Sequence, residues 1–174
     1  MLDTLIFALR EATKTSNAEA KVKAILMDFV KDHETASSLM PDFNDDDVIL
    51  FEDETISIWF CRFKPGTKVP PHDHRMSATI GVFKGTEFNE IYAAGRLDGG
   101  RLAHENSISV SAGEVLQIPE DKIHSVACTS QHASEAIHVY LGPLSKIDRA
   151  LYDVDADAKL AFTDENYAAL TKHR

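Results

Sequence analysis

Hydrophobic residues in the first part of the chain recur with the period of an α-helix. Leu2, Leu5, Ile6 and Leu9 occupy positions i, i+3, i+4 and i+7. The same stripe recurs over residues 22–30. This spacing predicts two amphipathic helices, each with one apolar face that must be covered.

Local signals predict the limits of the second helix. Ser16-Asn17-Ala18-Glu19 has the S-x-x-E form of a capping box, which favours a helix start there. The apolar stripe fades near His33, and Pro41 prevents any continuation. The second helix is therefore expected to end near His33.

After Pro41 the pattern changes to short apolar runs separated by glycine and proline. The turn signals include Pro65-Gly66 and Ser111-Ala112-Gly113. Many short strands at regular spacing predict an all-β sandwich or barrel, and about eight of them favour a jelly roll. The predicted strands are Val48–Phe51, Thr55–Phe63, Ser77–Phe83, Glu87–Ala94, Ser107–Ser111, Val115–Ile118, His124–Thr129 and Ala136–Leu141.

These patterns divide one domain into three parts. Residues 1–40 are predicted to form a helical arm, residues 41–145 the barrel and residues 146–174 a polar C-terminal tail. A short helix over Phe162–Leu170, capped near Thr163, is expected to close the tail. The arm and the tail are expected either to pack on the barrel or to form a homodimer, and the sequence leaves both open.

The composition narrows the function classes. The 174 residues include 18 Lys and Arg against 28 Asp and Glu, a formal net charge of −10. A field of that sign repels phosphate, so nucleic acid is not an expected partner. No apolar run reaches the length of about 18 residues that a membrane span needs. The N-terminus lacks the basic lead-in of a secretory signal, and the two cysteines are too few for a disulfide framework, so a cytoplasmic protein is expected.

Candidate chemistry lies in two segments rich in turn residues. His72 and His74 are two residues apart, so on a strand both imidazoles point to one face and can reach one ion. A second segment begins at Gly113, turns at Pro119 and reaches His124. A turn, a buried strand and a second turn would bring that third imidazole beside the first two.

Together the segments resemble the two cupin motifs, G-x5-H-x-H-x3-E-x6-G and G-x5-P-x-G-x2-H-x3-N. The resemblance covers roughly residues 45–142 and implies a double-stranded β-helix. The matching residues are Gly66, His72, His74 and Gly85, then Gly113, Pro119 and His124.

Three positions depart from the motifs. Ala78 occupies the glutamate position, Asp121 the second-motif glycine position and Cys128 the asparagine position. The first departure removes the only carboxylate ligand that the motif could supply. The resemblance therefore implies a centre of three neutral histidines with open coordination positions, which is typical of catalytic rather than structural metal sites.

Two residues later in the chain make the resemblance more specific. His138 and Tyr140 alternate onto one face of the last predicted strand. Three histidine ligands followed by H-x-Y resemble the thiol dioxygenases, such as cysteine dioxygenase. In that family the later histidine is no ligand but hydrogen-bonds the tyrosine, which points at substrate and oxygen. The family's serine two residues before the histidine is replaced here by Ala136.

The run from His72 to Met76 and the residues that follow it look most like a group of small bacterial cupins, described only as metal-dependent relatives of cysteine dioxygenase. That likeness implies a fold and a site but no reaction. It also leaves the metal open among iron(II), zinc, nickel and other divalent ions, because imidazole suits several of them.

The residue that would bind the substrate carboxylate matches the cysteine dioxygenases least well. Cysteine dioxygenases hold the substrate carboxylate with an arginine on an early strand, but residues 48–60 contain no Arg or Lys. Arg75 follows His74 and by alternation faces away from the metal unless a bulge intervenes. Arg62, Arg96 and Arg101 are the other candidates.

The resulting hypothesis is a metal-dependent oxygenase that adds dioxygen to a small anionic thiol at an iron(II) centre. His72, His74 and His124 would hold the metal, and His138 and Tyr140 would serve catalysis. The alternatives are another metal-dependent cupin enzyme, such as a carbon-acid dioxygenase or an isomerase, and a non-catalytic module that binds a metal or a small ligand.

Overall fold

The computed structural model describes residues 2–93 and 102–173 and begins with three helices, α1 (Leu2–Thr13), α2 (Ala18–Val30) and α3 (His33–Leu39). The predicted second helix thus ends earlier than expected, at Val30. The Asp32 side chain accepts the backbone N–H of Thr35 and starts a separate helix there. The expected Ser16 cap is also wrong, because Asn17 is the N-cap residue and makes no side-chain capping bond.

The strands form two antiparallel sheets. The first sheet has the order β1-β2-β10-β5-β8. Its strands are β1 (Asp47–Glu52), β2 (Ser57–Phe63), β5 (Ala78–Lys84), β8 (Val115–Ile118) and β10 (Ser134–Tyr140). In the second sheet β9 pairs with β3 and β4 on one side and with β6 on the other, and β6 pairs with β7. Its strands are β3 (Thr67–Lys68), β4 (His72–Asp73), β6 (Thr86–Ala93), β7 (His104–Ser111) and β9 (Lys122–Cys128).

The chain crosses from one sheet to the other in the jelly-roll order. The neighbours β2-β10-β5-β8 lie in one sheet and β3/β4-β9-β6-β7 in the other, so successive segments alternate between the sheets. This strand order confirms the predicted all-β double-stranded β-helix of the cupin type, with helices at its N-terminus. Of the predicted strand Glu87–Ala94, residue 94 lies outside the described residues.

Side-chain alternation divides the apolar residues between two layers. Ala78, Ile80 and Leu116 from the first sheet meet Ile91 and Val110 from the second inside the barrel. The opposite face of the first sheet packs against the helices. Leu26 and Val30 of α2, for example, join one cluster with Ile58, Phe60 and Ile137. The helices therefore lie outside the barrel and leave its interior to the candidate site.

The C-terminal residues extend the second sheet. The elements are β11 (Ala150–Asp153), β12 (Ala158–Ala161), α4 (Asp164–Leu170) and β13 (Lys172–His173). β11 pairs with β4 and β13 pairs with β3. Thr163 caps α4 as expected, because its side chain accepts the backbone N–H of Asn166. The tail thus packs on the barrel, beside the strand that carries His72.

None of the helices in residues 2–93 and 102–173 combines the length and hydropathy that crossing a lipid bilayer requires.

Candidate metal centre

The backbone of the Pro70-Pro71 segment orients the first histidine of the cluster. His72 lies in β4, and its Nδ1 is 2.9 Å from the carbonyl oxygen of Pro70. A carbonyl can only accept a hydrogen bond, so Nδ1 carries the proton and donates it. This fixes the tautomer and leaves the Nε2 lone pair of His72 free for an ion.

Asn89 of β6 orients His124 in the same way. His124 lies in β9 directly opposite His72 of β4. Its Nδ1 is 3.0 Å from Asn89 Oδ1, a bond in which the ring nitrogen donates. The lone pair of His124 therefore also lies on Nε2. Both histidines follow the pattern of metal ligands whose other ring nitrogen donates to a fixed oxygen.

His74 completes the cluster from the residue after β4. Its Nε2 is 3.2 Å from Nε2 of His124, and its buried Nδ1 has no hydrogen-bond partner. Two nitrogens at about 2.1 Å from one ion are about 3.0 Å apart at a right angle and about 3.4 Å apart at the tetrahedral angle. The separation of 3.2 Å between the two Nε2 atoms thus fits a shared ion. The ligand atoms of all three histidines lie within 4.8 Å of one another.

Burial keeps the three imidazoles neutral. It lowers the pKa of His72 from 6.5 to about 4. Burial first, and then the neighbouring histidines, lower the pKa of His74 and of His124 well below the usual value. Neutral rings offer lone pairs at neutral pH without first losing a proton, so the donor set fits a divalent cation.

Because the three histidines are uncharged, they would not neutralise any of the charge of a bound ion. Ala78, at the motif position of a glutamate, is fully buried among apolar residues of the barrel. Within residues 2–93 and 102–173, the metal-ligating cluster consists of the three histidines alone. A bound dication would keep its full 2+ charge and favour an anionic guest.

The cluster borders a cavity of about 220 Å³. This is smaller than the usual range of about 300–1,000 Å³ for drug-sized ligands, so it suits a molecule of a few heavy atoms. Residues of β2, β9, β10 and the C-terminal segment line it. They include His72 and His124, Trp59 and Cys61, His138 and Tyr140, and Arg149, Phe162 and Tyr167.

His138 and Tyr140 lie beside the cluster inside the barrel. His138 Nδ1 is 3.2 Å from the Tyr140 hydroxyl, and the Tyr140 ring meets the His74 ring at a centroid distance of 4.9 Å. Burial raises the pKa of Tyr140 well above its usual value, so its phenol keeps its proton at neutral pH. The phenol therefore can donate a hydrogen bond.

Arg149 is a cavity residue that the sequence reasoning missed. Its guanidinium carbon lies 3.8 Å from the centroid of the Phe162 ring, the same ring that packs edge-on against His72 at 5.9 Å. In the described part of the chain no carboxylate lies within ion-pair distance of it. Asp47 and Asp164 line the same cavity; burial raises the pKa of the Asp47 carboxyl, which acts on Arg149 from beyond ion-pair distance.

Asp73, the residue between His72 and His74, determines where Arg149 lies. Asp73 is buried, and its carboxylate accepts the backbone N–H of Ala150 at 2.8 Å and the Tyr152 hydroxyl at 3.3 Å. These bonds attach the C-terminal segment to β4 and hold residue 149 at the cavity. No motif spacing could have indicated this, because Arg149 lies 75 residues beyond His74 in a polar tail.

The arginines named from the sequence lie elsewhere. Arg62 pairs with Glu135 at 3.3 Å and stacks on Phe60 outside the cavity. Arg75 has a left-handed backbone with φ 54° and an exposed side chain near Asp73, so it faces away from the cluster as alternation predicted. Arg96 and Arg101 lie outside the described residues.

Comparisons with known proteins return cupins and other double-stranded β-helix proteins. No protein-family model matches the chain. A Klebsiella pneumoniae protein with a double-stranded β-helix domain is 14% identical, with a TM-score of 0.48 over 66% of this chain and 86% of that one. An RmlC-like cupin family protein from Methanocaldococcus jannaschii is 14% identical, with a TM-score of 0.47 over 62% of this chain and 91% of that one.

A third similar structure is an enzyme. A single-site variant of Bacillus subtilis oxalate decarboxylase is 20% identical, with a TM-score of 0.44 over 56% of this chain. The match spans 24% of the length of the decarboxylase. Likeness at these levels says nothing about activity, so the fold assignment rests on the strand order and any function must be argued from the site.

Proposed function

We propose that this protein is a metal-dependent oxygenase that adds both atoms of dioxygen to the sulfur of a small thiol bearing a carboxylate. The observation that carries the proposal is the shared cavity. The ligand atoms of three imidazoles lie within 4.8 Å of one another, His72 and His124 line the cavity, and so does Arg149, which has no carboxylate within ion-pair distance among the described residues. The reaction turns a thiolate and dioxygen into a sulfinate, so it balances without another reductant.

His72, His74 and His124 would hold the ion. Iron(II) bound there would supply the one-electron chemistry that dioxygen needs and would favour a thiolate over a thiol. The three neutral ligands of this chain leave the full positive charge to attract that thiolate. Asn89 and the Pro70 carbonyl keep two of the rings in the ligating tautomer.

Arg149 would bind the carboxylate of the substrate. A guanidinium recognises a carboxylate through paired N–H donors, and the Phe162 ring holds its plane on one side. Burial lowers the pKa of Arg149, and a guanidinium keeps its charge in proteins. Carboxylate and sulfur would then be held by two different groups of a cavity too small for a larger molecule.

Tyr140 would orient the reacting groups. Its hydroxyl lies 3.2 Å from His138 Nδ1, next to His74, and keeps its proton because burial raises its pKa. While its proton is donated to His138, the phenol oxygen would accept a hydrogen bond from the substrate at the open side of the cluster. Replacing Tyr140 by Phe should slow turnover and spare metal binding.

The test begins with metal analysis of protein purified without added metal. We expect iron near one per chain. The iron-loaded protein is then supplied with thiols that bear a carboxylate, such as cysteine and 3-mercaptopropionic acid, and with cysteamine, which lacks one. Oxygen uptake should match sulfinate formed, with both oxygen atoms derived from labelled dioxygen.

Matched variants separate the roles. His124→Asn should lose metal and activity, while His132→Asn, at an exposed histidine outside the cavity, should keep both. Oxygen uptake without sulfinate, or no uptake with any thiol at full iron occupancy, would overturn the proposal. Zinc or nickel in place of iron would favour an isomerase or a binding module instead.

A further inference from the structure

A buried carboxylate lies inside the barrel without a hydrogen-bond partner. Glu87 of β6 is 0% exposed, and neither of its side-chain oxygens has a hydrogen-bond donor in the described residues. It points into the barrel like Asn89 two residues later. Burying an unpaired carboxylate is costly, so a residue placed there must interact with a nearby group.

The outer ring nitrogen of His138 lies close to this carboxylate. Glu87 Oε2 lies 3.9 Å from His138 Nε2, and that nitrogen is likewise buried without a hydrogen-bond partner. The distance is within ion-pair range and longer than a hydrogen bond, so a small side-chain rotation would join the two atoms. The Phe63 ring packs against His138 at 6.2 Å and offers no competing acceptor.

We propose that Glu87 is a positioning residue for Tyr140 and acts through His138. Its carboxylate accepts the Nε2–H of His138, which leaves the Nδ1 lone pair to accept the Tyr140 hydroxyl proton. Glu87, His138 and Tyr140 then form a hydrogen-bonded row from β6 to the metal cluster. The inference extends the proposed function, because it assigns the group that orients the tyrosine of that reaction.

The direction of each hydrogen bond follows from the acceptor at the end of the row. A carboxylate oxygen that accepts a hydrogen bond from Nε2 selects the tautomer with the proton on Nε2. Without it the imidazole could place its proton on Nδ1 and donate to the tyrosine oxygen instead. Glu87 Oε2, 3.9 Å from His138 Nε2, is placed to hold this tautomer.

The tautomer can be measured in the metal-free protein, independently of any activity. Nitrogen-15 NMR of labelled histidines, with the His138 signals assigned through a His138→Asn variant, distinguishes the two neutral tautomers from the imidazolium ion. We expect the Nε2–H tautomer of His138. A proton on Nδ1 in the wild-type protein, in either remaining form, would overturn the proposal.

Two variants test the part played by Glu87. Glu87→Leu removes the acceptor and should populate the Nδ1–H tautomer. Glu87→Gln keeps the shape and should move the Nε2–H proton resonance upfield, because an amide oxygen accepts more weakly than a carboxylate. Glu90→Gln, on the same strand but paired with Lys68 near the surface, is the control and should change neither signal. If Glu87→Leu does not fold, the resonance shift in Glu87→Gln decides, and an unchanged resonance overturns the proposal.

Kinetics connect the tautomer to the proposed reaction. In the iron-loaded protein Glu87→Gln should lower kcat by about tenfold and leave KM within about twofold, because Glu87 touches no substrate. A changed KM with unchanged kcat would contradict a positioning role. If the wild-type protein oxidises no thiol, the proposed function fails, while the NMR result still decides the arrangement of the three residues.

Discussion

At the scale of single residues, hydrogen-bond partners that the sequence motifs do not specify determine which ring nitrogen of His72 and His124 carries the proton. Pro70 and Asn89 accept the Nδ1 protons of His72 and His124, so the lone pairs of both rings lie on Nε2. The absence of a carboxylate at Ala78 leaves the charge of a bound ion uncompensated by its ligands. In the proposed reaction, Arg149 would act together with a bound ion to favour an anionic substrate.

Arg149 gives the first prediction. Arg149→Gln should raise KM for a thiol with a carboxylate by roughly 10- to 100-fold, with kcat within a few-fold, because it removes the charged partner of the substrate. Oxygen uptake at varied thiol concentration measures this. Cysteamine, which has no carboxylate, should show no such loss.

Arg62→Gln is the control for Arg149, since Arg62 pairs with Glu135 outside the cavity. It should leave KM unchanged. An equal rise in KM for both variants, or a rise for cysteamine, would show that Arg149 does not bind the carboxylate.

At the scale of elements, β10 shows how one strand serves both layers of the molecule. Ile137 and Val139 face the helices, while His138 and Tyr140 face the barrel interior. The period of two residues in a strand makes this division automatic. Helix α2 can therefore stabilise the sheet from outside without touching the residues of the site.

Leu26 of α2 gives the second prediction. Leu26 is 0% exposed against the first sheet, so Leu26→Ala should lower the free energy of unfolding by about 3 kcal/mol through lost contacts and a cavity. Met27→Ala, at a neighbouring residue that is 52% exposed, should cost less than about 0.5 kcal/mol. Urea unfolding measures both. Metal affinity should be unchanged in Leu26→Ala, and a large loss of metal would contradict the separation of the two layers.

At the scale of the whole molecule, burial inside the barrel keeps the three clustered histidines uncharged. The chain carries a net charge of −10, yet three imidazoles are buried together as neutral groups. Histidines in the unfolded chain protonate near pH 6.5, whereas His72 in the folded chain stays neutral down to about pH 4. Between these values the unfolded state binds more protons, so stability must fall as the pH falls.

Acid stability of the metal-free protein gives the third prediction. For His72 alone, lowering the pH from 6.5 to about 4 should cost roughly 3 kcal/mol of unfolding free energy, and His74 and His124 act in the same direction. Urea unfolding at a series of pH values measures the slope. His72→Asn should reduce the slope, and the exposed His132→Asn should not. Equal slopes in the two variants would contradict the buried, neutral state of His72.

The sequence predicted the long elements better than the short ones. All eight predicted strands correspond to strands, because alternation and turn residues are local signals. The two-residue strands β3 and β4 lie on either side of Pro70-Pro71. The sequence pattern did not distinguish them from the turn, because each is defined by its pairing with β9. The extra helix α3 begins at the Asp32 cap, and the spacing of apolar residues gives no sign of that cap.

The sequence by itself determined the jelly-roll class, the trio of histidines and the H-x-Y pair, because these depend on spacing along the chain. Only the tertiary structure brought Glu87 to His138 and Arg149 to the cavity. Both contacts join segments far apart in sequence and are created by β6 pairing with β9 and by Asp73 holding Ala150. Contacts of that kind leave no periodic signal, since their geometry exists only once the two sheets have closed on each other.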